Sequence, residues 1–540
     1  MPTHKSALIL GLLLTPTYAA IALAQTAIEL CSCGVAHSGP CSNSTSSTAS
    51  SPTFQAGLSA IAIDEAADGS FLPLGHYHGD GHYHGPPVGG SSVGGVSTAG
   101  VSSAVSDTSA AASSLFINNR WVSTATDGFA GFAQGTPVTL TYGIVADGTA
   151  FSSFNGVTNT TNPGGSNLIA FLDAEVGNAA DASITNVQDK SWFSIISSAY
   201  TRWGDISGLT FEFEENDDGL TLSSSGTSSG ELGTRADLRL SGANFDGQSG
   251  ANVLAFNFFP NNGDGLIDTD NSNFFGNSNN NFLGLRNVLA HEIGHGLGLD
   301  HVISSSNRFL LEPTINLSFD GPQLADILAV QRSYGDFFEA NGGNDTAATA
   351  TPIGTFGDGD AFILGGDADS APSPQEVQPN QTDFFSIDGD QDEDYFAFTV
   401  DEMVLLEASL TQVGDVFTAA EEATGGGPLG EEEEFDTRAF AALQLEIVRI
   451  NTDGSTTVLG TSGASGASGA ANNFTEFVGG LTLEPDVQYA ALVSNELGSI
   501  DDNVQLFRLD LAFVAVPEPS GAMLALAMMA AYGRRRRAGA

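Results

Sequence analysis

A chain of 540 residues with 64 acidic against 16 basic side chains carries a formal charge of −48. That balance argues against nucleic acid and anionic membrane surfaces as electrostatic partners, since both call for clustered Lys and Arg. The length admits two or three domains, and the three cysteines, Cys31, Cys33 and Cys41, are too few and too local to staple them.

At the N-terminus Lys5 precedes an apolar run over 7–14, followed by small residues ending Ala22-Leu23-Ala24. This pattern predicts a secretory signal over 1–24, cut before Gln25. Residues 25–114 are rich in Ser, Ala, Gly and Thr and predict a low-complexity leader or propeptide-like segment. Within it His76-Tyr77-His78 and His82-Tyr83-His84 flank Gly79-Asp80-Gly81. The cluster could bind a transition metal; a polar loop is the plainer reading.

A folded region is predicted over 115–336. Residues 138–144 alternate as a strand. Trp192, Ile196, Ala199 or Tyr200, and Trp203 recur at helical spacing and predict an amphipathic helix that ends at Gly204, its stripe a core face. Strands are expected at 209–213, 236–240 and 253–258. The segment carrying Asp264, Asp268, Asp270, Asn271 and Asn273 reads as an acidic loop whose oxygens suit calcium, or as a solvated turn region. A helix over 282–297 follows, with Leu285, Leu289 and Ile293 inward. A sheet with long helices is an α+β plan.

The helix carries His291-Glu292-Ile293-Gly294-His295, and the chain continues Gly296-Leu297-Gly298-Leu299-Asp300-His301. His291 and His295 stand one turn apart on one face, so both rings reach one metal. Gly298 tolerates the left-handed backbone that ends the helix and turns His301 toward the same ion. Three imidazoles leave a fourth position for water on one catalytic zinc, and Glu292, next to the first ligand, can touch that water without being a ligand itself. The extended spacing is far more specific than H-E-x-x-H alone.

The order of elements over 115–334, with Trp203-Gly204-Asp205-Ile206-Ser207-Gly208-Leu209-Thr210-Phe211, Ala236-Asp237-Leu238, Phe258-Phe259-Pro260 and Gly263-Asp264-Gly265-Leu266-Ile267-Asp268, resembles the metzincin metalloproteases, the matrixin (peptidase M10) branch in particular. The resemblance implies a twisted mixed sheet with long helices, His291, His295 and His301 on zinc, Glu292 as base, and a calcium site near Asp264, Asp268 and Asp270. It also implies that Val253, Leu254, Ala255 and Phe256 form the edge strand that pairs with an extended substrate. This chain departs from the family in three places. Leu311, next to Glu312 and Pro313 in the site floor, stands where the family has methionine. Phe256 or Asn257, and Leu266, stand where vertebrate matrixins bind a structural zinc, so none is expected. Val302 replaces a small hydroxyl residue. Cys33-Gly34-Val35 is similar to the cysteine switch of matrix metalloproteinase propeptides, with different flanks; a disulfide to Cys31 or Cys41 is the alternative.

A helix over 323–334 closes the region. Beyond it 337–515 alternates strands, among them 392–400, 443–450, 488–493 and 504–511, with Gly/Asp turns, and predicts an all-β sandwich. Residues 425–434 read as a mobile loop. The stretch from Asn344 and the segment Asp394-Tyr395-Phe396 resemble the bacterial pre-peptidase C-terminal domain. Over 516–540, Val516-Pro517-Glu518-Pro519-Ser520, an apolar stretch and Arg534 to Arg537 resemble the PEP-CTERM sorting signal. The apolar part is shorter than the roughly 20 residues of a spanning helix.

Together these features predict a secreted or surface-held bacterial zinc endopeptidase. It would hydrolyse extracellular proteins or peptides by a zinc-bound water activated by Glu292. An exosortase-type sorting enzyme and transient membrane association through the tail are implied partners. The alternative is a non-catalytic surface or matrix binding protein on a metalloprotease fold.

Overall fold

The computed structural model describes residues 116–516 apart from 130–131, 153–156, 158–160, 224–229, 245–252, 341, 370–375, 390–391, 424–427, 463–473 and 496–503, together with a small antiparallel pairing of His76–Tyr77 with Tyr83–His84. The signal segment, the three cysteines and the tail beyond Val516 lie outside the described residues. All described residues belong to one compact unit, Ser59–Ala540. Among them no helix is long and apolar enough to cross a membrane.

The first half is α+β. Its elements are β1 (Val138–Ile144), α1 (Leu168–Glu175), α2 (Phe193–Gly204), β2 (Leu209–Phe213), β3 (Leu238–Ala243), β4 (Ala255–Asn257), β5 (Asp264–Asp268), α3 (Leu283–Gly296), β6 (Val302–Ile303) and α4 (Leu324–Tyr334). The five-stranded sheet runs β2-β1-β3-β5-β4. Its pairs are parallel except the last, where β4 lies antiparallel to β5 at the edge. Helices α2 and α3 supply the apolar layer beneath, with Ile196, Trp203, Leu285, Val288 and Leu289 in one buried cluster.

Two expectations for this half are corrected. The acidic stretch at Asp264 is a strand, not a loop, and β5 is buried along its whole length. Arg239 stands directly across from Asp264 in the β3–β5 register, with a contact of 3.5 Å, and offsets part of the cost of burying its carboxylate. Helix α1 has no counterpart in the sequence reading. Its first amides are capped from a distance, with Ile169 N–H and Ala170 N–H donating to Asp147 at 2.9 Å each.

The second half is a β-sandwich. One sheet holds, in order, β7 (Thr351–Phe356), β10 (Glu393–Val400), β17 (Gln488–Asn495), β14 (Leu443–Ile450) and β15 (Thr456–Thr461). The other holds β8 (Ala361–Leu364), β18 (Gln505–Ala515), β11 (Val404–Gln412) and β16 (Thr475–Leu483), with β9 (Phe385–Ile387) also on β18. Alternate residues of β11, Leu406, Ala408 and Leu410, turn inward to meet Phe396, Leu445, Ile447 and Val493 from the facing sheet.

A third element departs from both layers. Strands β12 (Val416–Glu421) and β13 (Glu433–Asp436) form a hairpin, and β12 pairs antiparallel with β6. The expected mobile loop over 425–434 is therefore corrected in part, since Glu433 and Glu434 lie in β13. The halves share apolar core: Phe417, Phe440 and Leu506 fall in the same buried cluster as Leu311 and Ile327. Gln331 ties them again, its Nε2 donating to Ile206 O and Phe384 O at 2.9 Å each.

Candidate metal centre and active site

Helix α3 is built to present two rings and then stop. Indole and phenol donors brace the helix and its end: Trp203 Nε1 donates to Ala290 O in its interior at 2.9 Å, Trp121 Nε1 to Gly296 O at 2.7 Å, and Tyr334 Oη to Leu297 O at 2.7 Å. Gly298, with φ +99°, follows the last turn. Its N–H donates to His295 O at 2.8 Å, and Leu299 N–H reaches back to Gly294 O at 3.0 Å, the hydrogen-bond pair of a Schellman cap. A side chain at Gly298 would collide with Asn119 O.

The turn brings the three imidazoles together. Nε2 of His291 and His295 are 3.0 Å apart, His295 and His301 3.1 Å, and His291 and His301 3.2 Å. All three residues are buried. Each Nδ1 faces an oxygen: Leu310 O at 2.7 Å from His291, Leu299 O at 2.7 Å from His295, and Glu422 Oε2 at 2.6 Å from His301. Those oxygens accept, so each Nδ1 carries the proton and each Nε2 turns a lone pair to the common centre. Three converging lone pairs repel unless a cation lies between them. Nitrogens bound tetrahedrally at about 2.0–2.1 Å stand roughly 3.3–3.4 Å apart, so the triad fits zinc closely. Burial, followed by the nearby His301, lowers the pKa of His291 to about 3 and that of His295 well below its ordinary value. Both rings are therefore neutral ligands over the working pH range.

Glu292 is buried beside the triad. Beneath it, Leu311 and Gly294 meet closely, with Leu311 Cδ atoms 3.1 Å from where a Cβ on Gly294 would stand. The floor loop is fixed from two sides. Val302 N–H donates to Leu311 O at 2.9 Å, and Leu310 N–H donates to Asp326 Oδ2 at 2.8 Å. Asp326 also closes the capping box that starts α4. Pro313 follows, partly buried.

Residues Val253 and Leu254 lead into β4, and Ala255 and Phe256 lie in it at the sheet edge. The strand runs beside the metal helix, where Asn257 Nδ2 would lie 2.6 Å from a Cβ at Gly296. Phe256 and Leu266 share a small apolar cluster with Phe258 and Val145.

Among the described residues, Asp264, Asp268 and Asp270 are not grouped as a three-carboxylate set. Asp264 faces Arg239, and Asp268 accepts from Asp270 N–H and Asn271 Nδ2. The described residues instead bring Glu339, Asp392 and Asp394 together, with ligand oxygens within 4.8 Å of one another. Asn344 and Asp394 are fully buried there, and the Asn344 side chain is a hydrogen-bond neighbour of the Asp394 carboxylate. Hard cations take such an all-oxygen set. Sequence reasoning missed this cluster and Glu422, because each joins residues through tertiary contact rather than local spacing.

A buried three-imidazole site on a capped helix, with a carboxylate between the first two ligands, is a metzincin-type zinc site. Residues 179–335 match the family model of Matrixin, Peptidase_M10, so the chain carries a matrixin-type zinc metalloprotease domain with a zinc-binding histidine triad. Metalloendoproteinase 2-MMP of Arabidopsis thaliana is 31% identical over 164 residues, 29% of this chain and 40% of that protein. The chain thus spans well under two thirds of the relative it matches. The pre-peptidase C-terminal domain of a collagenase from Bacillus anthracis aligns at 11% identity over 30% of this chain and 95% of that one, with a TM-score of 0.14. That score supports no inference.

Proposed function

We propose that this protein is an exported zinc endopeptidase acting on extracellular proteins or peptides. One observation carries the reading: three Nε2 atoms lie within 3.2 Å of one another with every Nδ1 committed elsewhere, next to the Glu292 carboxylate. When bound, zinc supplies a Lewis acid for the scissile carbonyl and lowers the pKa of its water toward about 7. Glu292 takes the proton of the attacking water and passes it to the leaving nitrogen. Burial of Glu292 and the histidines limits competing solvent and strengthens the field on the reacting atoms. The edge strand β4 would pair with an extended substrate. The signal segment over 1–24 and the sorting tail over 516–540 would export the protein and pass it to an exosortase-type enzyme. The sandwich, through its resemblance to the pre-peptidase C-terminal domain, would support binding or export.

The test is Glu292→Ala. The variant should keep one equivalent of zinc by metal analysis and lose casein hydrolysis by about 10²–10⁴-fold. Zinc-loaded variant that cleaves casein at the wild-type rate overturns the proposal.

A further inference from the structure

His291 and His295 are oriented by main-chain carbonyls from within the first half, but His301 is not. Its Nδ1 lies 2.6 Å from Oε2 of Glu422, a residue 121 positions away in the second half. Glu422 follows directly on β12, and the β6–β12 register pairs Val302 with Glu421. The ligand and its carboxylate are thus delivered by adjacent positions of one short antiparallel ladder. The side chains of His301 and Glu422 are 7% and 6% exposed.

The hairpin is anchored by contacts that do not involve the three ligands. Ser304 Oγ donates to Thr418 O at 2.6 Å. Arg308 pairs with Asp415 and lies over the Phe417 ring at 4.6 Å. Ser305 N–H and Oγ donate to Glu432 Oε2 at 3.1 and 2.8 Å. With the hairpin located by these contacts, Glu422 is held to its donor rather than free to swing into water.

We infer that Glu422 is the positioning residue for His301, so that the second half of the chain completes the metal centre of the first. The carboxylate fixes the tautomer and plane of the ring and raises the basicity of Nε2. A carboxylate buried to this degree is costly without compensating charge, and a cation bound on the far side of the same ring provides it. The inference rests on the zinc reading above, and it assigns to the β half a part in building the site.

The test uses the full chain with zinc and cobalt alone as probes. Zinc affinity is measured by competition with a chromophoric chelator, and the visible spectrum of the cobalt form reports ligand geometry and basicity. Glu422→Ala should weaken zinc by about 10–100-fold. Glu422→Gln, which has the same shape without the charge, should fall between wild type and the Ala variant and shift the cobalt bands. Glu432→Ala, which loosens the hairpin at Ser305 without touching a ligand or Glu422, should weaken zinc by less than Glu422→Ala and leave the cobalt bands unshifted. Should Glu422→Ala not fold, the Gln variant decides alone. Wild-type affinity and spectrum in Glu422→Gln overturn the inference, as does an equal loss in Glu432→Ala with unshifted bands. Absence of tight zinc binding by the wild type overturns the metal reading itself, and tight zinc binding without proteolysis removes only the proposed activity.

Discussion

Leu311 fills the space that Gly294 leaves open. Its two Cδ atoms lie 3.1 Å from where a Cβ at position 294 would stand, and Trp203 Cζ2 lies 3.4 Å away. Leu311 is 1% exposed, so the floor beneath the metal helix is a packed contact. A missing side chain on one partner is matched by a branched one on the other.

From that contact, Leu311→Met should be nearly silent, costing less than about 1.5 kcal/mol, because the two side chains are close in volume and methionine adapts to irregular gaps. Leu311→Ala should cost about 2–5 kcal/mol through the cavity it leaves. Chemical denaturation of the two variants measures both values. An Ala variant as stable as wild type would mean that the floor is not packed as described.

Asp326 links the start of α4 to the orientation of a ligand. Its Oδ2 accepts from Leu310 N–H and Gln323 N–H at 2.8 Å each, and Leu310 O holds His291 Nδ1. Asp326→Ala should therefore lower stability by about 1–3 kcal/mol for each buried donor left unmet. It should also weaken zinc binding. Asp326→Asn keeps one acceptor oxygen and should lose less of both. Thermal unfolding and chelator competition, run on both variants, would expose any separation of the two effects.

The metal motif was legible because its information is local. His291, Glu292 and His295 share one helix, and Gly298 announces the turn, so spacing alone brings the ligands together. The long helices and alternating strands were legible for the same reason. Strand β5 was not, since Asp264 and Asp268 spoil the apolar signal. What offsets part of the cost of burying Asp264 is Arg239 on a different strand. Helix α1 lacks a local N-cap bond and takes its cap from Asp147. Glu422 sits in a run of acidic and small residues with nothing to mark it. Its role comes entirely from the β6–β12 pairing.

Asp264 also gives the molecule a pH-dependent term. Burial is the main cause that raises its pKa to about 7, opposed by Arg239, against about 3.9 in an unfolded chain. Between those values the folded state holds a proton that the unfolded state has lost. This contribution is present at pH 4, falls as the pH rises, and is gone above about 7. Asp264→Asn mimics the protonated form. The unfolding temperature of the variant minus that of wild type should thus increase from pH 4 to 7 and then level off. Zinc loss at acid pH affects both proteins alike and cancels in the difference. A constant offset across the range would contradict the assignment.

The carboxylates at the start of the sandwich make the same kind of demand, compounded by one another. Burial, together with mutual repulsion among Asp336, Asp345, Asp388, Asp392 and Asp394, raises the pKa values of Glu339, Asp392 and Asp394 well above the ordinary range. Oε1 of Glu339 and Oδ1 of Asp392 lack hydrogen-bond partners there. Without a cation this arrangement opposes folding. Asp394→Asn removes one charge, so in calcium-free buffer at neutral pH the variant should unfold at a higher temperature than wild type. Added calcium should reverse the order. A ligand at 100 times its Kd stabilises by about 2.7 kcal/mol, and wild type offers one carboxylate more than the variant to a hard cation. Calorimetry at fixed zinc, with and without millimolar calcium, reads both signs. An unfolding temperature that calcium does not move, in wild type and variant alike, would leave the cluster as a destabilising feature of the fold and nothing more.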